Sequence, residues 1–313
     1  MPKKVINRGV RLGRRPTDYI AGTATALAYE ERLPSGDWKD DLPTGEVQYG
    51  SNGDKMNCVT HSFHNSLETQ GDFFMRMGKI PATHVKFLYD NGYIDTNGKF
   101  NLNDRIGAIL NGTTTLGNFL WAVADFGRTL GLFPQSALVN DENLSWNEYY
   151  NSALITPEMK ALAQKFKTYF EIRYEWVDTN RDSLMKHLKH APLQVVIPGH
   201  AVVGISSTSQ LTKYFDTYPP FIKDWSKPFE AALKVVLIVK QLDMPVSTIV
   251  KKTPASDDQY LPSLVAGKAP IRIANQELLF TLIDRGYING AVTPETEKFV
   301  IKGASFISIN DEE

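Results

Sequence analysis

The chain predicts an α+β domain in which helices and strands are segregated along the sequence. Helical signals dominate the first half of its 313 residues; after Tyr174 they give way to short apolar or β-branched runs bounded by Pro, Gly and Ser. A single cysteine rules out an intramolecular disulfide, so packing alone must hold the fold, and the setting is a reducing compartment or a particle assembled in one.

Taken in order, residues 1–32 read as a basic N-terminal arm. Lys3, Lys4, Arg8, Arg11, Arg14 and Arg15 precede the first acid, Asp18, and a short helix is expected around Tyr19–Glu31. The arm is either a solvated terminus or a docking element for an acidic partner. Leu33-Pro34-Ser35-Gly36-Asp37 is turn chemistry, and 42–54, rich in Gly, Asn and Asp, reads as a loop. Asp54 and Asn57 are good N-cap types, and Val59, Phe63 and Leu67, four residues apart, give the following helix a buried face. A helical stretch is expected within 101–135, carrying Leu116, Phe119, Leu120, Val123 and Phe126 and stopping at Gly127 to Gly131 and Pro134. A further helix is expected at Met159–Phe170. Leu193–Ile197, Ala201–Ile205 and Lys213–Thr217 read as strands. A Pro/Ser/Asp-rich connector covers about 243–263, followed by a helix candidate at Gln276–Gly290 and a short strand-like tail. The organisation is therefore an arm (1–32), a main domain (33–242), and a linker with a small C-terminal extension (243–313).

The bulk numbers narrow the function. With 42% hydrophobic and 22% charged residues and a net charge of −1, nothing global calls for nucleic acid or a membrane surface. The basic N-terminus is not followed by an apolar h-region, so no secretory signal is expected. The longest apolar run, Ala231–Val239, contains Lys234 and is too short to span a bilayer.

Chemistry centres on Cys58. It follows a Gly/Asn-rich loop, begins a helix, and stands off the Val59–Phe63–Leu67 stripe. Unpaired N–H groups and the helix dipole favour a thiolate at such a position, and a neighbouring imidazolium favours it further. Of the six histidines, His61 and His64 share the Cys58 helix. Their spacing rotates around that helix, so Cys58, His61 and His64 do not converge on one ion, and a solvated polar face is expected. His187 and His190 lie among lysines on an expected exposed helix, and His84 has no distinctive context. His200 differs, because it stands at the mouth of the strand Ala201–Ile205. Antiparallel pairing of that strand with 212–217, through a turn at 206–210, brings Asp216 to the same end of the sheet. There a carboxylate can fix the imidazole's tautomer.

These residues resemble a family. Leu33-Pro34-Ser35-Gly36-Asp37-Trp38-Lys39, then Gln48, then Asn57-Cys58-Val59-Thr60-His61-Ser62-Phe63 is similar to the opening of papain-like cysteine peptidases. His200-Ala201-Val202 matches the family's His-Ala-Val, and Tyr214-Phe215-Asp216-Thr217-Tyr218 stands in the place of the strand ending in Asn-Ser-Trp. Further phrases resemble a divergent bacteriophage branch: Gly112-Thr113-Thr114, Gly117-Asn118, Gly131 to Pro134, Tyr149-Tyr150 and Tyr174 to Trp176. The resemblance covers about residues 33–240. It implies two lobes, one helical and carrying Cys58, the other an antiparallel sheet or barrel carrying His200 and Asp216.

The same resemblance implies Cys58 as nucleophile, His200 as general base, Asp216 as orienter in place of asparagine, and Gln48 as an oxyanion donor. The loop between Gln48 and Cys58 is longer than is usual in the family. The substrate would be a polypeptide, with no metal and no cofactor. Phage virion proteins are the expected partners, docked through the arm or the C-terminal extension, and the location is a virion or bacterial host cytoplasm. The alternatives are a structural docking protein that keeps the peptidase fold, and a cell-wall peptide hydrolase or amidase.

Overall fold

In the computed structural model, residues 9–21 and 29–240 are described in full; of the rest, the backbone of strands within 247–301 is described. Residues 1–80 and 85–240 form one compact unit, and 81–84 with 241–313 a second.

The chain runs β1 (Val10–Arg11), β2 (Tyr49–Gly50), β3 (Gly53–Asp54), α1 (Cys58–Arg76), α2 (Ala82–Asp90), α3 (Asp104–Leu110), β4 (Asn118–Phe119), α4 (Leu120–Leu130), α5 (Trp146–Tyr149) and α6 (Pro157–Tyr169). It continues through β5 (Phe170–Trp176), α7 (Arg181–Leu188), β6 (Leu193–Ile197), β7 (His200–Ser207), β8 (Thr212–Phe215), β9 (Ile222–Trp225) and β10 (Ala231–Val239). The fold is α+β: a helical part built from the first half, and an antiparallel sheet in the order β5-β10-β6-β7-β8-β9. The second unit's described strands are β11 (Ser247–Lys251), β12 (Gln259–Leu261), β13 (Ile271–Ile273), β14 (Ile288–Asn289) and β15 (Lys298–Ile301), an antiparallel sheet in the order β13-β12-β11-β15-β14.

Helix α1 is the axis of the main unit. It packs on β7 and β10 on one side and on α3 and α4 on the other, so every residue from Cys58 to Phe74 is buried. Phe63, Leu67 and Phe73 bury whole side chains there, each worth about 1.5–3 kcal/mol against exposure. A helix enclosed on all sides has no solvated face. That corrects the expectation for His61 and His64, which are 0% and 2% exposed. The stripe Val59–Phe63–Leu67 exists, but the opposite face meets α3 rather than water.

Other expectations need smaller corrections. The 42–54 segment contains a tight hairpin, β2–β3, instead of an unstructured loop. The 101–135 region is two helices separated by a turn, and Leu116 in that turn is exposed. Tyr19–Ala21 is extended: Ile20 bridges Trp176, and Ala21 N–H and Trp176 N–H donate to Trp176 and Tyr19 carbonyls. The rest of that helix candidate, 22–28, lies outside the described residues. His187 and His190 are half-buried on or just after α7, not exposed. Strands β11 and β12 fall inside the expected connector. The 276–290 helix candidate lies outside the described residues except for the strand pair Ile288–Asn289.

The described part of the arm is a strap. Val10–Arg11 pairs in parallel with Asn118–Phe119. At Gly117 (φ +72°) a Cβ would sit 1.9 Å from the Gly9 carbonyl oxygen, so only glycine admits the strap. Arg11, Arg14 and Arg15 are spent on this surface. Arg11 lies over Phe119 and Arg15 over Trp121, while Arg15 also pairs with Asp18 and Asp125 and donates to Tyr174.

Candidate active site

Cys58 reaches its place through a strained turn. Met56 sits at φ +55°, in the left-handed region that a long side chain rarely adopts. Its N–H is held by Asp54 Oδ1 at 2.6 Å. Asn57 follows as N-cap, but its side chain does not cap. It donates to Tyr149 Oη at 2.9 Å, and its carbonyl accepts from Thr60 and His61. Cys58 is then the first helical residue, and its amide precedes the first intrahelical hydrogen bonds.

His200 is delivered by the hairpin β6–β7. Pro198-Gly199 makes a two-residue turn with Gly199 at φ +75°, and Ile197 and His200 are cross-strand partners at its base. Strand β8 pairs antiparallel with β7, as the sequence implies, with Val203 opposite Phe215. Asp216 therefore follows at the same sheet end, and His200 Nε2 donates to its Oδ1 at 2.7 Å. The other ring nitrogen, Nδ1, is buried without a hydrogen-bond partner. The Cys58 side chain is among those that interact with the ring. Thus Cys58, His200 and Asp216, distant in sequence, form one contiguous group.

The electrostatics favour a charged imidazole. Burial alone would lower the His200 pKa; the hydrogen bond to Asp216, then the interaction with Cys58, outweigh it and raise the pKa to about 9. Burial likewise would raise Asp216. Its bonds to His200 and Lys223 overcome that and hold the carboxyl below the usual range.

Sequence reasoning missed three members of this group. Lys223 Nζ donates to Asp216 Oδ2 at 2.5 Å. The signal was available: β9 pairs with β8 so that Lys223 lies opposite Tyr214, which shares a face with Asp216 two residues on. Tyr218 sets its ring edge-on to His200, centroids 5.3 Å apart, and its hydroxyl donates to Asp54 Oδ2. Asp54 thereby links the Cys58 turn to the loop after Asp216. Only the contacts, not the pattern, mark Asp54.

Gln48 is fully buried beside this group, but its amide is engaged. Nε2 donates to Asp54 Oδ1 at 2.9 Å and to Tyr218 Oη at 3.1 Å, and Oε1 accepts from Thr217 Oγ1 at 2.8 Å. Donation to an oxyanion would require one of these bonds to be exchanged.

No family model matches the chain, and no curated protein does. Among solved structures it is similar to the proform of the ragweed pollen allergen Amb a 11 cysteine protease, at 10% identity and TM-score 0.42, over 69% of each chain. It is also similar to a digestive procathepsin L of Tenebrio molitor larval midgut, at 12% identity and TM-score 0.44, over 74% of this chain and 76% of that one. A third is a Carica candamarcensis cysteine protease in complex with E-64, at 10% identity and TM-score 0.40, over 64% of this chain and 96% of that one. All three are papain-like cysteine proteases. At such identity and overlap, the roles of individual residues rest on this chain's own geometry.

Proposed function

We propose that the chain is a cysteine peptidase in which Cys58 attacks the scissile carbonyl, His200 shuttles the proton and Asp216 orients His200. One observation carries the reading: a buried imidazole with Nε2 tied to Asp216 and Nδ1 without a hydrogen-bond partner, its ring interacting with the Cys58 side chain at the start of a helix. In the reactive form His200 already carries the thiol's proton as an imidazolium beside the Cys58 thiolate; the thiolate forms the acyl bond, and the imidazolium protonates the amine that leaves as the peptide bond breaks. The backbone N–H of Cys58, ahead of the amides that bond Asn57, is the natural oxyanion donor, with Gln48 joining after exchange of its present bonds.

A thiol-reactive peptide epoxide tests the reading. Stoichiometric labelling at Cys58 that is lost in His200→Ala is the expected result. Equal labelling of both proteins overturns the activated thiol.

A second reading has one specific observation in its favour. Cys58 has no exposed surface, so a substrate reaches it only if covering side chains move. A docking protein that keeps a closed, unused site fits that burial. Epoxide labelling only after partial denaturation, with none in the native chain, would favour it. The phage setting, a virion protein as substrate or partner, and residence in a virion or host cytoplasm rest on the sequence phrases. Copurification with assembled particles tests them.

A further inference from the structure

One turn below Cys58, the same helix carries a second group of ionisable side chains that the peptidase reading does not use. His61, His64 and Glu68 lie along the face of α1 that meets α3, and all three are buried. Asp104, at the start of α3, is 1% exposed and stands between the two imidazoles. His64 Nδ1 donates to Asp104 Oδ1 at 2.8 Å. Glu46, partly exposed, reaches in from the segment before β2. One donor atom each from Glu46, His61 and Asp104 lies within 4.8 Å of the other two.

The His61 contact has an unusual geometry. Its Nδ1 is 2.7 Å from Asp104 Oδ2, yet neither ring nitrogen of this fully buried side chain has a hydrogen-bond partner. The contact is close but off the axis a hydrogen bond needs. Two donors beside one cation at metal–ligand distances of about 2.1 Å stand about 3.0–3.4 Å apart, so this pair needs to part by only a few tenths of an ångström to admit one. The charge count agrees. Three carboxyl groups, of Glu46, Glu68 and Asp104, share this interior with two imidazoles.

We propose that Glu46, His61 and Asp104 form a binding site for a divalent first-row transition-metal ion of the zinc class. His64 acts as the positioning partner that holds Asp104 in its ligating orientation. One imidazole and two carboxylates suit a borderline ion, and a hydrogen-bonded carboxylate ligand is the usual support around such a site. The ion would tie α1, α3 and the segment before β2 together. The role is structural, because no residue of the site is among those proposed for the thiol chemistry.

Cobalt(II) added to the chelator-stripped full chain tests this. The background is Cys58→Ser, which removes the competing thiol. Binding of one equivalent is expected, with weak d–d absorption, no sulfur-to-metal charge-transfer band and a rise in melting temperature. Because His61→Ala and Asp104→Asn can compromise folding, the deciding variant is Glu46→Gln at the partly exposed edge. It should keep the circular-dichroism spectrum and weaken binding at least about tenfold. Absence of saturable binding up to millimolar cobalt, or binding that Glu46→Gln leaves unchanged, overturns the site. Neither result bears on epoxide labelling of Cys58, so this proposal and the peptidase reading fail separately.

Discussion

His200 and His61 each lie 2.7 Å from an aspartate, and both rings are buried. Their settings differ in what surrounds the pair. His200 stands at the end of β7, its carboxylate shared with a partly exposed lysine, its second nitrogen without a hydrogen-bond partner, and a thiol interacting with the ring. His61 sits mid-way between two packed helices, its aspartate shared with a second imidazole and crowded by carboxyls. The first arrangement leaves one nitrogen available for proton transfer. The second consumes its groups in holding helices together. The same two residue types thus serve reactivity at a sheet end and cohesion in a core, and the difference is set by the third and fourth partners.

Substitution at each pair should separate these roles. His200→Ala is expected to lower epoxide labelling and peptide turnover by about 10²–10⁴-fold, the range for a general base, while the urea midpoint changes little. A midpoint collapse would make His200 a core residue instead. Asp104→Asn should do the reverse. It strands two imidazoles in the interior and costs about 3–5 kcal/mol of stability, or on the order of 10 °C in melting temperature. An unchanged melting curve would break the contrast.

The pH dependence sharpens it further. The folded-state pKa of His200, about 9, lies above the unfolded value of about 6.5. Its contribution to stability is therefore fully present below pH 6.5 and is lost as pH rises through about 9. Activity should fall on the same alkaline limb, where the imidazolium disappears. Asp216→Asn removes the ion-pair partner and should move that limb to lower pH, read from labelling rate against pH. The smallest effect is expected from Lys223→Met, a several-fold loss of labelling rate with a small shift of the same limb, because Lys223 is a quarter exposed and acts through Asp216. Lys223→Arg should restore the limb if charge is what matters.

Much of the sheet was readable from the sequence. Leu193–Ile197 is matched residue for residue by β6, and the β7–β8 pairing follows from two apolar runs and the turn between them. Cys58 as the first residue of a helix followed from Asn57 and the loop before it. What could not be read is which neighbours enclose a helix. The polar positions of α1 look like a solvated face until α3 is known to cover them, and nothing local says that Asp104 lies between His61 and His64. The same limit applies to Gln48. Its position near the site follows from the phrase around it, but the bonds that occupy its amide come from Asp54, Thr217 and Tyr218. The hairpin at β2–β3 was hidden for a different reason, since two-residue strands carry no periodicity.

The N-terminal strap has a consequence for solubility. Strand β5 is an outer strand of the six-stranded sheet, and the bridge between Ile20 and Trp176 covers part of its free side. The Trp176 indole donates to Asp18, and Arg14 lies over its ring. A chain shortened to begin at Leu33 would uncover that strand together with Phe119 and Trp121, and would leave backbone donors and acceptors open to another molecule. Such an edge invites self-association. Residues 9–21 thus act as an intramolecular shield, with the glycine at 117 as the notch in which it sits.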